Sequence, residues 1–320
     1  MAFVIFFALF IGIILAAALL SYGAEIFAER WGANFVGSVV LGLITTLPEY
    51  LFVIWACIKG QYQMAVGSAV GSCSLLVTLG YGSVILVATT RLSKKPVPEI
   101  RLSKTTQVDA LYLLVTSVVA FLLAWEKRGL DLKDAAILIA IFLGYVAHLS
   151  HEAIQFAKAL EEEKIFSGNI GKGSLALIAG GVLVYFLSEP FVNSMIEVAQ
   201  TLRVSPVTIA VVLGPIASEM PEKLAAYLTV RRDAQLAEIS VCNFIGSKVN
   251  HNSLLLGTLP IVAALRGHGP VEGVLTGSFV LMTILTVGAA LSLSRRRLRR
   301  WEGIVFLLLY GLVITEAFLK

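Results

Sequence analysis

Two glutamates stand in strongly apolar stretches of the chain, and each directly follows a proline. Glu49 follows Pro48 in "ITTLPE", and Glu222 follows Pro221 in "ASEMPE". Proline removes a backbone donor and disfavours helix at the residue before it, so each pair predicts a break in a helix. Inside a bilayer, backbone carbonyls freed at a break are tolerated only where they are buried or line a cavity. Two breaks with one carboxylate each therefore predict a cation site.

Further oxygen ligands stand near both carboxylates. A hard cation such as Ca²⁺ takes about six to eight oxygen ligands, and we predict a metal held chiefly by Glu49 and Glu222. The alternative, a pair of structural hydrogen-bond anchors, is disfavoured because intramembrane carboxylates are costly and usually functional. The predicted additional ligands are Thr45, Thr46, Ser72, Ser218, Glu219 and Ser247.

The composition is that of a membrane protein. Of the 320 residues, 58% are hydrophobic and only 14% are charged, which gives more apolar surface than a water-soluble core of this size needs. With roughly 20 apolar residues per span, we predict an all-α membrane protein with ten transmembrane helices. The three cysteines lack pairing motifs and indicate no redox site. The predicted spans lie near 2–28, 34–58, 62–89, 106–125, 134–153, 173–200, 205–229, 234–259, 270–293 and 301–319.

The sequence contains an internal repeat. Segments 45–80 and 218–257 each carry a polar pair, Pro-Glu, a helix, a polar turn and a second helix with Gly-Ser. The glutamate precedes the serine by 23 residues in the first copy and by 25 in the second. Five spans per half is an odd number, so the second copy must enter the membrane upside down, which predicts two inverted five-helix repeats. The predicted units are 1–155 and 173–320, joined by a cytoplasmic linker, 156–172.

Basic residues predict the orientation in the cell membrane. Alternate loops hold 16 and seven Lys and Arg residues, and cytoplasmic loops retain positive charge, so the N-terminus is predicted outside. The run "RRRLRR" (295–300) is interpreted as an anchor for anionic lipid headgroups and not as a nucleic-acid site. The lipid bilayer and the transported cations are the expected partners, and we expect a monomer.

These repeats resemble the cation/Ca²⁺ exchanger superfamily. Its repeats carry Gly-Thr-Ser-Leu-Pro-Glu and then a helix with Gly-Ser-Asn, and the matching stretches here are "ITTLPE" and "ASEMPE", then "GSC" and "GSK". The resemblance implies a non-enzymatic secondary antiporter with no cofactor, which exchanges Ca²⁺ or a similar divalent cation against Na⁺ or H⁺ by alternating access. It also implies that Glu49 and Glu222 are the central carboxylates, with Thr45, Thr46 and Ser218 beside them.

The sequence departs from the family pattern in both repeats. Leu76 and His251 stand four residues past the Gly-Ser serines, where sodium-coupled members place Asn or Asp, and Lys248 stands where Asn is usual. Glu219 adds a third carboxylate. Two oxygen ligands are lost and several titratable groups are gained, which favours H⁺ as the counter-ion, with Na⁺ as the alternative.

Lys248 lies deep in its predicted helix. It is about 14 residues from one end, or roughly 20 Å, so its ammonium needs a carboxylate partner, Glu219 or Glu222, unless it is neutral. With His251, which shares its helix face, it is either a coupling and charge-compensating group or a structural one. Lys223 is expected to point elsewhere, towards Glu238 or the inner surface.

A second kind of site is suggested by "HLSHE". His148 and His151 share a helix face next to Glu152, which makes an intramembrane zinc metalloprotease the alternative function. The order of residues is not HExxH, and no third ligand is evident, so this alternative is disfavoured.

Overall fold

The computed structural model describes residues 2–31, 39, 43, 46–102, 105–163, 170–205, 215, 219, 223, 226–227 and 230–318. These residues are mostly helical. The predicted seventh span lies largely outside the described residues, although residues 215, 219, 223, 226, 227 and 230 are helical. The long helices in the described ranges are α1 (Ala2–Trp31), α2 (Leu47–Ile58), α3 (Tyr62–Thr89), α4 (Thr105–Lys127), α5 (Leu132–Glu163), α6 (Ile170–Leu202), α7 (237–265), α8 (Gly277–Ser294) and α9 (Arg300–Phe318).

Many of these helices match the bilayer in length and polarity. Within the described residues, five are long and apolar enough to cross a membrane: Tyr62–Thr89, Thr106–Lys127, Leu132–Glu152, Ile170–Leu202 and Gly277–Ser294. Large apolar side chains such as Leu143, Phe186 and Leu308 stand exposed on their outer faces. Exposed apolar surface of this extent requires cover, and lipid supplies it.

Helix α2 begins where its proline predicts. Thr46 is its N-cap, Leu47 is its first residue, and Pro48 lies in its first turn. The backbone N–H groups of the first turn have no acceptor within the helix, so proline, which lacks an N–H, is tolerated there. Glu49 is therefore held in the first turn of a helix that starts inside the protein. The second predicted break, at Met220-Pro221, lies outside the described residues.

Two of the helices contain a π-helical turn that the sequence pattern did not predict. These turns are Leu76–Gly80 in α3 and His251–Leu255 in α7, and each begins four residues after the serine of a Gly-Ser pair. Hydroxyl groups donate to backbone carbonyls next to the turns, as in Thr78 Oγ1 to Ser74 O at 2.5 Å. Such bonds compete with the regular helical pattern, and π turns are frequent at functional sites.

Two short strand pairs mark opposite faces of the protein. Strand β1 (Glu99–Arg101) pairs with β4 (Arg297–Arg299), and β2 (Gly129–Leu130) pairs with β3 (Val271–Glu272), both antiparallel. Helix α4 joins β1 to β2 with 23 residues, or about 34 Å of helix. The Arg-rich segment 295–300 and the loop before α4 therefore lie on one face, and the loops before α5 and α8 lie on the other.

Helix α1 lies antiparallel along α6. Gly12 faces Leu187, and Gly23 faces Gly173. A Cβ at Gly23 would stand 2.7 Å from the carbonyl oxygen of Gly173, so only glycine allows this approach of the two backbones. Elsewhere α4 packs on α8, α9 on the second half of α3, and α5 on the second half of α7.

Two large apolar clusters lie towards the two opposite faces of the protein. One includes Phe52, Phe191 and Leu130 and reaches the β2–β3 face, whereas the other includes Phe244 and Leu298 and reaches the β1–β4 face. Between them lie buried polar and charged side chains from α2, α3, α7 and the helical residues at 219 and 223.

Candidate cation site

Three buried side chains converge at the start of α2. Glu49, Glu219 and His251 are 1%, 3% and 0% exposed, and one ligand atom from each lies within 4.8 Å of the others. Glu49 comes from the first turn of α2, and His251 opens the π turn of α7. Two carboxylates and an imidazole in a dry interior form a group that could hold a cation.

The imidazole of His251 is oriented by hydrogen bonds at both nitrogens. Nδ1 lies 2.5 Å from the backbone oxygen of Ser247, and Nε2 contacts Oε2 of Glu49. A carbonyl oxygen only accepts, so Nδ1 carries a hydrogen. The contact between Nε2 and Oε2 then needs one further proton, held either by an imidazolium or by a protonated carboxyl, because two lone pairs do not bond to each other.

Glu219 is shared between a lysine and the histidine. Its Oε2 lies 2.8 Å from Nζ of Lys223, and its Oε1 lies 3.6 Å from Nε2 of His251. The expectation that Lys223 points away from the site is wrong. Lys223 follows Glu219 by four residues, which places the two side chains on the same helix face, and this relationship outweighs its adjacency to Glu222.

Lys248 is fully buried but does not pair with Glu219. It is 1% exposed, and its Nζ makes no hydrogen bond among the described residues, with the thiol of Cys73 close by. The sequence-based expectation of Glu219 as its partner is therefore wrong; Oε2 of Glu219 bonds to Lys223 instead. The other expected partner, Glu222, lies outside the described residues.

An asparagine that the sequence analysis missed connects the two halves of the chain. Asn250 donates from Nδ2 to Oγ1 of Thr46 at 2.8 Å and accepts from the hydroxyl of Tyr50 at 2.5 Å. The Thr46 hydroxyl donates in turn to the backbone oxygen of Leu43 at 3.1 Å. A polar residue in an apolar helix was the available signal, because such residues are rarely placed in membrane helices without a partner.

The remaining predicted ligands have different outcomes. Ser72 is buried in α3, and its Oγ has no hydrogen-bond partner in the described part of the chain. Ser247 is also buried and provides a backbone oxygen to His251. Thr45, Ser218 and Glu222 lie outside the described residues.

The histidines of "HLSHE" lie elsewhere. His148 and Glu152 are partly exposed on α5, with Nε2 and Oε1 separated by 3.9 Å, and His151 contacts Gln155. In the ranges that the structure describes, the group with metal-ligand geometry consists of Glu49, Glu219 and His251 and includes neither of these histidines.

Comparison with known proteins agrees with this fold. The family model of the sodium/calcium exchanger protein matches residues 1–150 and 172–319. An uncharacterized membrane protein of Methanocaldococcus jannaschii, MJ0091, is 25% identical over 314 residues, covering 95% of this chain and 96% of its own.

Two solved structures share the architecture. The crystal structure of the H⁺/Ca²⁺ exchanger CAX has a TM-score of 0.79 at 18% identity, covering 99% of this chain and 86% of that one. A structure of the sodium-calcium exchanger NCX_Mj has a TM-score of 0.70 at 22% identity, covering 98% of this chain and 99% of that one. With both of its halves matched by the family model, this chain belongs to the sodium/calcium exchanger family and is an integral membrane transport protein, not an enzyme.

Proposed function

We propose that the protein is a secondary antiporter that exchanges Ca²⁺ or a similar divalent cation against H⁺ by alternating access. The observation that carries this proposal is the contact between Nε2 of His251 and Oε2 of Glu49. It requires a proton between two atoms that can each ligate a cation. A proton and a cation therefore compete for the same lone pairs.

This competition supplies the coupling that antiport needs. A cation that takes Oε2 of Glu49 displaces the shared proton, and the returning proton displaces the cation. If the site changes the side to which it opens only when either the proton or the cation is bound, the two ions are exchanged without a leak. The same pair of atoms then serves both ions.

Protons are favoured over Na⁺ by the neighbouring residues. Leu76 is a buried apolar residue at the first π turn, where sodium-coupled members of the resembled family carry an oxygen ligand. Lys248 is a buried amine at a position where the resembled family usually carries Asn, so it supplies no oxygen ligand there. Both features reduce the number of places where Na⁺ could be coordinated.

The proposed architecture is ten helices in two inverted repeats, 1–155 and 173–320, joined by the linker 156–172. Three relationships support it. The two π turns stand at matching places, and the β1–β4 pair on one face has its counterpart in the β2–β3 pair on the other. The packing of α9 on α3 also matches that of α5 on α7.

The proposed ligand set keeps both central carboxylates. Glu49 and Glu222 are assigned from the matched repeats, and Glu219 and His251 join them on the geometry of the site. Lys248 is proposed as a charge-compensating group. The oxygen ligands proposed around them are Thr45, Thr46, Ser72, Ser218 and Ser247.

The proposed orientation has the N-terminus outside the cell. The β1–β4 face carries the run of arginines at 295–300, and positive charge is retained in the cytoplasm. Helix α6 starts after the predicted cytoplasmic linker, and α1 lies antiparallel to it, which supports an outer position for the start of α1.

Ion flux into vesicles tests the proposed function. The purified protein is reconstituted in liposomes, and uptake of Ca²⁺, Mn²⁺ and Zn²⁺ is followed under a pH gradient without Na⁺ and under a Na⁺ gradient without a pH gradient. We expect uptake of a divalent cation driven by the pH gradient alone and abolished by a protonophore. Uptake that requires Na⁺ and does not depend on the pH gradient would contradict the proposal and would identify Na⁺ as the counter-ion.

A further inference from the structure

The site contains a nitrogen ligand that is already arranged for a metal. Because Nδ1 of His251 donates to the backbone oxygen of Ser247, the Nε2 lone pair points at the two glutamates. Histidines that bind metals commonly donate their other ring N–H to a carbonyl or carboxylate, which fixes the ring and its tautomer. His251 has this arrangement although no metal-binding motif surrounds it in the sequence.

One carboxylate oxygen also remains available. Oε1 of Glu219 makes no hydrogen bond among the described residues, although the side chain is 3% exposed, and it faces Nε2 of His251 at 3.6 Å. A buried carboxylate oxygen without a hydrogen-bond partner lowers the stability of the fold unless a ligand binds to it. Oε1 of Glu219, Oε2 of Glu49 and Nε2 of His251 therefore place two oxygens and one nitrogen around a common point.

This donor set suits a transition metal better than Ca²⁺. Zn²⁺ sites that exchange a ligand use three protein donors and keep one position open, with metal–ligand distances of about 2.0–2.2 Å. Ca²⁺ takes about six to eight oxygens and has no preference for imidazole. Donor atoms within 4.8 Å of one another need only small side-chain movements to close around a small ion.

Several neighbouring oxygens in the described part of the site are already engaged in hydrogen bonds, although Oγ of Ser72 is not. Oε2 of Glu219 bonds to Lys223, and the amide of Asn250 bonds to both Thr46 and Tyr50. A Ca²⁺ ion would have to break several of these bonds to collect its ligands, whereas a three-donor site leaves them intact.

We infer that the cation bound at Glu49, Glu219 and His251 is a first-row transition-metal dication of the Zn²⁺ and Co²⁺ type, in preference to Ca²⁺. This inference rests on the proposed function for its transport role and narrows its substrate class. The selectivity itself is a property of the site, so it can be measured by binding as well as by flux.

Binding is tested on the purified full-length protein in detergent micelles. Co²⁺ is titrated and its visible absorption bands are recorded, and Zn²⁺ and Ca²⁺ are then added as competitors. We expect a Co²⁺ spectrum typical of mixed nitrogen and oxygen ligation, displaced by Zn²⁺ at least about tenfold more effectively than by Ca²⁺. No Co²⁺ spectrum, or equal displacement by Ca²⁺, would overturn the inference.

Two substitutions assign the signal to the site. His251→Asp replaces the nitrogen donor by an oxygen donor, so the Co²⁺ spectrum should lose its nitrogen character and the preference should shift towards Ca²⁺. His148→Gln removes a partly exposed histidine of α5 and should change neither. Size-exclusion profiles and melting temperatures confirm that both variants are folded. An unchanged metal preference in His251→Asp would contradict the inference.

Flux separates this inference from the proposed function. Uptake of Zn²⁺ and Co²⁺ driven by a pH gradient, with Ca²⁺ slower by at least about tenfold, supports both. Uptake of Ca²⁺ in preference to Zn²⁺ and Co²⁺ under the same gradient overturns the metal preference and leaves the antiporter. Co²⁺ binding at His251 without any gradient-driven flux supports the metal preference and overturns the proposed function.

Discussion

Nε2 of His251 contacts Oε2 of Glu49 although the two residues are 202 positions apart in the sequence. The contact joins the π turn of α7 to the first turn of α2. It makes a proton part of the site, and it brings the two halves of the chain together at the residues where sequence motifs predict a cation.

Removal of either member of this pair should abolish exchange. In Glu49→Gln the carboxylate is lost, and in His251→Gln the imidazole is lost, so neither variant can alternate between a bound proton and a bound cation. We expect folded proteins, judged by size-exclusion profile, with pH-driven cation uptake at background level in liposomes. Near-normal uptake in either variant would refute the assignment of the pair, and His151→Gln on α5 serves as the control.

The Lys223–Glu219 pair should be required for stability as well as for function. Lys223→Met leaves a buried carboxylate without its 2.8 Å partner, and breaking a buried pair in this way costs about 3 kcal/mol or more. We expect a clearly lower melting temperature in detergent micelles. The double variant Lys223→Met with Glu219→Gln should recover part of the loss, and a double variant as unstable as the single one would argue against this pairing.

Asn250 should stabilise the packing of α7 against α2. Asn250→Leu removes its hydrogen bonds to Thr46 and Tyr50, and hydrogen bonds within membrane proteins are worth about 1 kcal/mol each. A lower melting temperature is expected, with Tyr50→Phe giving about half the change. If Tyr50→Phe had the larger effect, Asn250 would not be the centre of this network.

The two faces of the protein can be assigned by cysteine labelling. The native cysteines, Cys57, Cys73 and Cys242, are buried, and Leu92 and His268 are exposed at opposite ends of the fold. A membrane-impermeant thiol reagent applied to intact cells should label His268→Cys and should label Leu92→Cys only after permeabilisation. Labelling of Leu92→Cys from outside would reverse the orientation.

Asp131 should make stability dependent on pH in strong acid. Its Oδ1 caps the start of α5 by accepting from the backbone N–H groups of Lys133 and Asp134, and its hydrogen bond with Lys127 lowers the pKa of its carboxyl to about 2. A depressed folded pKa contributes stability above the unfolded value, about 3.9, and this contribution is lost as the pH falls towards 2. Melting temperatures of wild type and Asp131→Asn should therefore converge between about pH 4 and pH 2, and a constant difference would exclude this linkage.

The sequence determined the parts of this protein that depend on neighbouring residues. Apolar composition requires lipid-covered helices, Pro48 sets the start of α2 and so the position of Glu49, and the arginines at 295–300 distinguish one face. These features follow from local backbone chemistry and from the polarity of short segments, so a single sequence was sufficient to predict them.

Only the tertiary structure decided which charged groups meet. His251 contacts Glu49, Lys248 does not pair with Glu219, and Asn250 bridges to Thr46 and Tyr50, some 200 positions away. These contacts depend on the rotation of each helix about its axis and on the distance between helices. The π turn at His251 also changes the helical phase locally, so the direction of its imidazole could not be read from a regular helical repeat.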